Sequence, residues 1–324
     1  MIYHLLRWIS GIAINWFYRD IRVTNYEAIP NSGPLLIAVN HQNALVDSLI
    51  TGWVISRRVT MTAKATLVRN PFVALLFRAV GVVPLRRASD EVTRADANHL
   101  DRSRNNEAFT DILDVLETGG AVLIFPEGKS HNETRLEPLK TGLARLALCA
   151  RDSRGISGVR ILPVGLVFED KAEPGSVVGV NIGESIELDF WSGADAGGLT
   201  AEIAQRLKTV SDGRQIPERE TFTPPAHHRP VASFFIRAAA AWGRHTHELP
   251  IRLARRLAVK RSLDADQPAM RTILLGTGLV LLTYLASFAI VEAVTHSIWF
   301  SALCITSLAL GAYWAAFENR PRSR

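Results

Sequence analysis

Cysteine is scarce in this chain, with two residues in 324. Cys149 falls in a predicted core helix and Cys304 in a long apolar run, so the two are poorly placed to form a disulfide. The nine histidines show no pair at a spacing typical of metal ligands, because the clustered ones lie in flexible or amphipathic surroundings. The sequence therefore predicts neither a disulfide scaffold nor a bound metal, and we expect no cofactor.

Internal repeats are also missing, which excludes a solenoid or propeller built from units of about 20–50 residues. The formal net charge is +6, but no aromatic or glycine-rich nucleic-acid-binding motif accompanies the basic residues. We therefore interpret the positive charge as attraction to anionic membrane lipids and expect no nucleic acid partner.

Long apolar runs are missing from most of the chain and occur twice near its end, at Ile273 to Val291 and at Ile298 to Phe317. Each run is nearly uncharged and has about the length needed to cross a bilayer, and the turn between them holds Glu292 and His296. The pattern predicts a transmembrane hairpin. Buried core helices are the alternative, which the length of two adjacent runs disfavours.

Basic residues flank both ends of this predicted hairpin, and its turn has no arginine or lysine. By the positive-inside tendency, the main domain and the C-terminus are predicted to lie on the cytoplasmic side of the cytoplasmic membrane. The flanking residues are Arg252, Arg255, Arg256, Lys260, Arg261 and Arg271 before the hairpin, and Arg320, Arg322 and Arg324 after it.

Three further segments are predicted to lie on the membrane surface. Met1 to Phe17 is apolar and lacks a small-residue cleavage pattern, which favours an attached interfacial helix over a signal peptide. Val231 to Trp242 and Leu249 to Val259 mix apolar residues with arginine, a composition that suits anionic lipid. For these two, a solvated helical pair packed on the core is the alternative.

A histidine and an aspartate stand between a strand and a helix near the start of the chain. Leu35 to Val39 is a short apolar run after a turn cluster and predicts a buried strand, and Ala44 to Trp53 predicts a helix. His41 then follows the carboxyl end of the strand, and the turn folds it back toward Asp47. Such a pair suits a general base with an orienting carboxylate. A surface histidine beside a helix N-terminal aspartate fits the same pattern.

Three later blocks also pair an apolar run with a turn element. They are GVVPLRR at Gly81 to Arg87, AVLIFPEGKSH at Ala121 to His131, and ILPVGLVF at Ile161 to Phe168. In the middle block the run Val122 to Phe125 predicts a strand that leads into a Pro-Glu-Gly turn. All three blocks are expected to deliver polar groups at strand ends.

The series NHQNALVD, GVVPLRR, FPEG and ILPVGL resembles the four blocks of the PlsC-like glycerolipid acyltransferase family, over roughly residues 15 to 210. Five residues, Gln42 to Val46, separate the histidine from the aspartate, where the family usually has four. The FPEG turn is followed by Lys129, Ser130 and His131 instead of the usual arginine. Both departures resemble the fungal-type glycerol-3-phosphate and dihydroxyacetone-phosphate acyltransferases.

The resemblance implies a role for each matching position. His41 would be the base and Asp47 its partner, both catalytic. The second and third blocks would line the phosphate of the acyl acceptor. In the third block Lys129, Ser130 or His131 would replace the usual arginine, and lysine lacks the bidentate fork of a guanidinium. The implied substrate-binding residues are Asn40, Arg86, Arg87, Phe125, Pro126, Glu127, Gly128, Lys129, Ser130 and His131.

The resemblance also implies the fold and the reaction. The fold is a three-layer α/β domain around a mixed sheet, and the reaction moves a fatty acyl group from acyl-CoA or acyl-carrier protein to a hydroxyl of glycerol 3-phosphate, or else of 1-acylglycerol 3-phosphate or another lysolipid. A non-catalytic lipid-binding protein with the same fold is the rival, and loss of His41 or Asp47 would mark it. A metal-dependent hydrolase is disfavoured because the pair lacks further ligands nearby. The predicted divisions are 1–21 (interfacial helix), 22–215 (acyltransferase domain), 216–271 (basic amphipathic linker) and 272–318 (transmembrane hairpin).

Overall fold

The computed structural model describes residues 2–85, 106–193, 195–213, 215–216, 234–261 and 268–317. The strands in these ranges are β1 (Asp20–Thr24), β2 (Leu35–Val39), β3 (Val59–Lys64), β4 (Val83–Leu85), β5 (Ala121–Ile124), β6 (Arg160–Phe168), β7 (Val177–Ile182) and β8 (Ile186–Glu187). They form one mixed sheet in the order β1-β7-β6-β2-β5-β3-β4, and β8 also pairs with β6. β2 is parallel to both of its neighbours, whereas β7 and β8 run antiparallel to β6.

The described helices cover the sheet and continue beyond it at the C-terminal end. They are α1 (Ile2–Phe17), α2 (Ala44–Val54), α3 (Pro71–Val80), α4 (Asn106–Glu117), α5 (Gly142–Leu148), α6 (Ala196–Ser211), α7 (Phe234–Arg261), α8 (Pro268–Thr295) and α9 (Ile298–Phe317).

Each face of the sheet is covered by a hydrophobic core. Strand β2 contributes to both cores, because successive side chains of a strand point to opposite faces. Leu35, Ile37 and Val39 of β2 face a core that also contains residues of α1, α2 and the first turns of α8. Leu36 and Ala38 face a second core, formed with α4, α5 and α6. The predicted three-layer α/β arrangement around a mixed sheet is confirmed.

The elements around the histidine and the FPEG turn lie almost where the sequence predicted them. β2 has the predicted bounds, and α2 begins at Ala44 and ends one residue later than predicted, at Val54. β5 begins and ends one residue earlier than predicted, so Phe125 is the first residue after the strand. Short apolar runs bounded by turn residues were sufficient to locate these strands.

The two C-terminal apolar helices have the length and composition to cross a membrane. Much of their surface lies outside the cores, with Leu285 and Trp299 among the most exposed residues, whereas Ala269 and Ile273 at the base of α8 are buried in the first core. The turn is shorter than predicted. Helix α8 continues past Glu292 to Thr295, and only two residues join it to α9.

α7 is a single helix that passes through Pro250, so the prediction of two separate amphipathic pieces is wrong in this respect. It packs against both α8 and α9. The backbones of α7 and α9 approach closely at Gly243 and Gly311, where a Cβ on Gly243 would meet the carbonyl oxygen of Gly311 at 1.9 Å. Packing against two apolar helices holds the segment together as the third helix of a C-terminal bundle.

β6 also lies directly against a helix, at Gly165. A Cβ on this residue would be 2.1 Å from the carbonyl oxygen of Val210 in α6, and a backbone oxygen cannot rotate away as a flexible side chain can. The side-chain amide of Asn181 donates a hydrogen bond to the same oxygen at 2.9 Å. Glycine is therefore required at position 165 by the contact between sheet and helix.

We expect Gly165→Ala to lower the free energy of unfolding by about 1–3 kcal/mol, because the added methyl group must push α6 off the sheet. Gly142→Ala is the matched control, since nothing lies within 4 Å of a Cβ at that position. Thermal unfolding of the detergent-purified variants measures the difference. Equal melting temperatures for the two variants would contradict the close contact.

Candidate active site

Two loops that the sequence singled out leave the sheet side by side. β2 and β5 are parallel neighbours, and Ala38 near the end of β2 is paired with Ile124 at the end of β5. The segment 40–43 and the segment 125–131 therefore start at the same edge of the sheet, where open α/β sheets commonly bind ligands. Parallel pairing thus brings together two motifs that are about 85 residues apart in the chain.

His41 and Asp47 meet at this edge. The Nδ1 atom of His41 lies 2.9 Å from Oδ2 of Asp47. The same carboxylate oxygen accepts a hydrogen bond from the backbone N–H of Asn43 at 2.7 Å, which folds the Asp47 side chain back over the start of α2. Asp47 is fully buried and His41 is 5% exposed. The geometry fits the predicted pair and not a solvated surface histidine.

The contact with Asp47 assigns the proton of the imidazole. A carboxylate accepts hydrogen bonds, so Nδ1 is the donor in this contact, and in a neutral imidazole the lone pair then lies on Nε2. In the described ranges, Nε2 has no hydrogen-bond partner. The ring of Phe125 is stacked on the imidazole, with the ring centroids 3.8 Å apart, and so fixes the plane of the ring. The arrangement fixes the orientation of the imidazole.

Glu127 holds the two loops together. Its Oε1 atom accepts a hydrogen bond from the backbone N–H of His41 at 2.7 Å, and Oε2 accepts one from the backbone N–H of Glu137 at 2.8 Å. Oε2 also contacts Nε2 of His131. Glu127 is only 1% exposed. In this structure its carboxylate is used entirely on neighbouring protein groups.

Ser130 and His131 make further contacts with the loop that carries His41. The hydroxyl oxygen of Ser130 accepts a hydrogen bond from the backbone N–H of Ala44 at 3.1 Å, and the backbone N–H of His131 donates to the carbonyl oxygen of His41, also at 3.1 Å. Ala44 has a φ of 45°, a left-handed conformation that is uncommon for a residue other than glycine. The hydrogen bond to Ser130 helps to hold this strained start of α2 in place.

The remaining predicted site residues surround these contacts. Both polar atoms of the buried Asn40 side chain bond to the backbone of Leu166 in β6, at 2.7 and 2.9 Å. Pro126 is buried, and Gly128 turns the chain with a φ of 81°. Lys129 is the most exposed of them and forms an ion pair with Glu137 at 3.1 Å.

Arg86 and Arg87 lie outside the described residues. β4, the strand that precedes them, is parallel to β3, and β3 is parallel to β5, so β4 ends at Leu85 toward the edge that carries the site. The assignment of these two arginines to the acceptor phosphate stays a prediction. In the part of the chain that the structure describes, no group of three or more histidine, cysteine or acidic side chains is arranged to hold a metal ion.

The sequence interpretation missed three residues behind the pair of His41 and Asp47. Asn43 donates from its side-chain amide to the hydroxyl oxygen of Tyr18 at 2.8 Å and to the carbonyl oxygen of Lys171 at 3.0 Å. The Tyr18 hydroxyl donates to that same carbonyl oxygen at 3.0 Å. Burial, and then the charge of Asp47, raises the pKa of Tyr18 well above its usual range, so the hydroxyl keeps its proton. Only Asn43 lies within a motif, and no pattern in the sequence points to the other two.

A family model described as "Acyltransferase" matches residues 20–167 of the chain. An uncharacterized acyltransferase of Schizosaccharomyces pombe is 22% identical over 244 residues, covering 52% of this chain and 36% of that protein. Glycerol-3-phosphate O-acyltransferase 2 of Saccharomyces cerevisiae is 32% identical over 111 residues (33% and 15%). The 1-acyl-sn-glycerol-3-phosphate acyltransferase of Borreliella burgdorferi is 29% identical over 159 residues (49% and 53%).

The crystal structure of the 1-acyl-sn-glycerophosphate acyltransferase PlsC from Thermotoga maritima is similar, with a TM-score of 0.48 and 18% identity over 64% of this chain and 79% of that one. The chain spans between 15% and 53% of the length of the three curated relatives named above. The matched family segment contains His41, Asp47 and the FPEG turn. The family match covers 148 of the 324 residues, a little under half of the chain.

Proposed function

We propose that the protein transfers a fatty acyl group from an acyl thioester to a hydroxyl group of a glycerol phosphate, with glycerol 3-phosphate as the favoured acceptor. The observation that carries this proposal is the buried pair of His41 and Asp47 at 2.9 Å, at the sheet edge shared with the FPEG turn. Relatives named as glycerol-3-phosphate O-acyltransferases support the choice of acceptor. Acyl-CoA and acyl-carrier protein are the two thioesters that suit this reaction.

The proposed reaction needs one group that first accepts a proton and then returns it. Nε2 of His41 takes the proton of the acceptor hydroxyl as its oxygen attacks the thioester carbonyl carbon, and Asp47 stabilises the imidazolium that forms. A new C–O bond forms, the C–S bond breaks, and the imidazolium returns the proton to the leaving thiolate. The thioester is already activated, so the chain needs to form no covalent intermediate with the acyl group.

The substrate-binding roles follow from where each side chain is directed. Glu127, Ser130, His131 and Asn40 are engaged with the protein itself, and we assign them to holding the loops at the sheet edge. Lys129 is exposed and paired with Glu137, and we assign it to the phosphate of the acceptor together with Arg86 and Arg87. We assign the shape of the turn beside the imidazole to the three remaining residues, Phe125, Pro126 and Gly128.

The acceptor 1-acylglycerol 3-phosphate is a second candidate, because relatives named for that substrate match about half of this chain. The test is an acyl-transfer assay of the purified protein with acyl-CoA or acyl-carrier protein as donor, across glycerol 3-phosphate, dihydroxyacetone phosphate, 1-acylglycerol 3-phosphate and other lysophospholipids. Transfer to glycerol 3-phosphate at the highest kcat/KM supports the proposal. Transfer to no acceptor overturns it and favours a lipid-binding protein.

We expect His41→Ala to lower kcat by about two to four orders of magnitude, because the general base is removed. Asp47→Asn should also be severely impaired, since an amide can stabilise the wrong tautomer of the imidazole. His245→Ala, which changes an exposed histidine of α7, is the matched control and should keep wild-type activity. Near-normal turnover of a folded His41→Ala variant would rule out the mechanism.

Arg87→Ala should raise the KM for the acceptor far more than the KM for the donor, because only the acceptor would lose a charge-assisted hydrogen bond. Arg237→Ala, at an exposed position of α7, controls for the loss of a positive charge. Steady-state kinetics with each substrate varied in turn measure the two constants. An equal rise in both would reject the assignment.

We further propose that α8 and α9 cross the cytoplasmic membrane as a hairpin, with the acyltransferase domain on the cytoplasmic side. Their length, their apolar composition and the exposure of much of their surface support this placement. The arginines and lysines before and after the pair support the orientation. The first core, which includes the base of α8, would then lie close to the membrane surface.

Single cysteines introduced at Thr295 and at Thr118 test this topology, after both native cysteines are replaced by serine. Both positions are exposed, one at the tip of the hairpin and the other in the domain. In sealed vesicles, an impermeant thiol reagent should label the two from opposite sides, because a spanning hairpin places its tip across the bilayer. Labelling of both from the same side would show that the hairpin does not span.

A further inference from the structure

Lys171 lies in the loop between β6 and β7 and reaches both loops of the site. Its ammonium donates hydrogen bonds to the carbonyl oxygen of Gln42 at 2.9 Å, to the carbonyl oxygen of His131 at 3.3 Å and to Oδ1 of Asn132 at 3.1 Å. A lysine ammonium has three N–H donors and can therefore bind several acceptors at once. Gln42 is the residue next to His41, and His131 ends the FPEG block.

The loop that presents Lys171 is itself fixed. The backbone carbonyl oxygen of Lys171 accepts hydrogen bonds from the side chains of Asn43 and Tyr18, two residues directly behind the pair of His41 and Asp47. The Oδ1 atom of Asp170 accepts hydrogen bonds from the backbone N–H groups of Ala172 and Glu173, at 2.9 and 3.1 Å, and closes a tight turn. From α7, Arg255 donates to the carbonyl oxygen of Ala172 at 3.1 Å. The ammonium is therefore delivered from a rigid support.

We propose that Lys171 is a positioning residue that fixes the loop carrying His41 relative to the FPEG turn. This inference rests on the proposed acyl transfer and deepens it. The ammonium joins the carbonyl oxygens of two segments that also contact each other through Glu127, through Ser130, through a backbone hydrogen bond and through the stacked rings of His41 and Phe125. A charged donor makes stronger hydrogen bonds to carbonyl oxygens than a neutral one does.

Loss of the ammonium should affect turnover more than substrate binding. Without it, the carbonyl oxygens of Gln42 and His131 lose a shared partner, and the two segments can separate. The position of Nε2 of His41 relative to a substrate bound at the FPEG turn then varies. Small errors in such distances lower kcat steeply, whereas groups that bind the substrate are left in place.

The test compares Lys171→Met and Lys171→Arg with the wild type, and uses Lys208→Met, at an exposed lysine of α6, as the matched control. We expect Lys171→Met to lower kcat by about ten- to a hundredfold with little change in either KM. Lys171→Arg keeps a cation with several N–H donors and should recover part of kcat. The control should match the wild type in all three constants.

Amide hydrogen exchange provides a readout that does not depend on activity. In Lys171→Met, peptides that cover residues 40–47 and 126–132 should exchange faster than in the wild type, while peptides of α6 and the melting temperature stay unchanged. Unchanged exchange in both segments, or faster exchange with unchanged kcat, would overturn the proposal. A wild-type protein that transfers no acyl group would refute the proposed function, and the exchange data would still decide whether Lys171 holds the two loops.

Discussion

The buried carboxylate of Glu127 is the interaction on which the arrangement of the site depends. A charged group that is 1% exposed is costly unless its oxygens are hydrogen-bonded, and here they meet the backbone N–H groups of His41 and Glu137 and the ring of His131. All of these partners belong to the loop after β2 or to the chain that follows β5. Movement of either loop would leave a buried charge without its donors, so the two loops hold one relative position.

The pair of His41 and Asp47 follows the same physical rule on a smaller scale. Asp47 is fully buried, and its Oδ2 atom is shared between the backbone N–H of Asn43 and the ring of His41. The ring of Phe125, which lies in the loop after β5, stacks on the imidazole and restrains its plane. The imidazole is thus held in one orientation, which is the preorganisation that the proposed general base would need.

The apolar C-terminal helices are part of the same folded unit as the domain. Ala269 and Ile273 of α8 are buried with residues of α1, α2 and β2, and the indole N–H of Trp16 donates to the carbonyl oxygen of Ala312 at 3.0 Å. Arg255 of α7 contacts the loop that carries Lys171. With α8 and α9 in a bilayer, as proposed, these contacts would hold the sheet edge at a fixed position relative to the lipid.

The sequence by itself determined the local elements and the chemistry of the motifs. Apolar runs bounded by turn residues located β2, β5 and the two long apolar helices, and the spacing of His41 and Asp47 across a strand-to-helix turn indicated the pair, because these signals are short-range. Only the tertiary structure decided that α7 is one continuous helix. Its packing on α8 and α9 stabilises the helix through Pro250, which the amphipathic pattern of the sequence does not reveal. The tertiary structure alone showed that Glu127 and Asn40 are engaged by the backbone, and that Lys171, 129 residues from Gln42 in the chain, lies at the site. The physical reason is that each of these contacts depends on the order of strands in the sheet, which brings distant loops to one edge and leaves no local trace in the sequence.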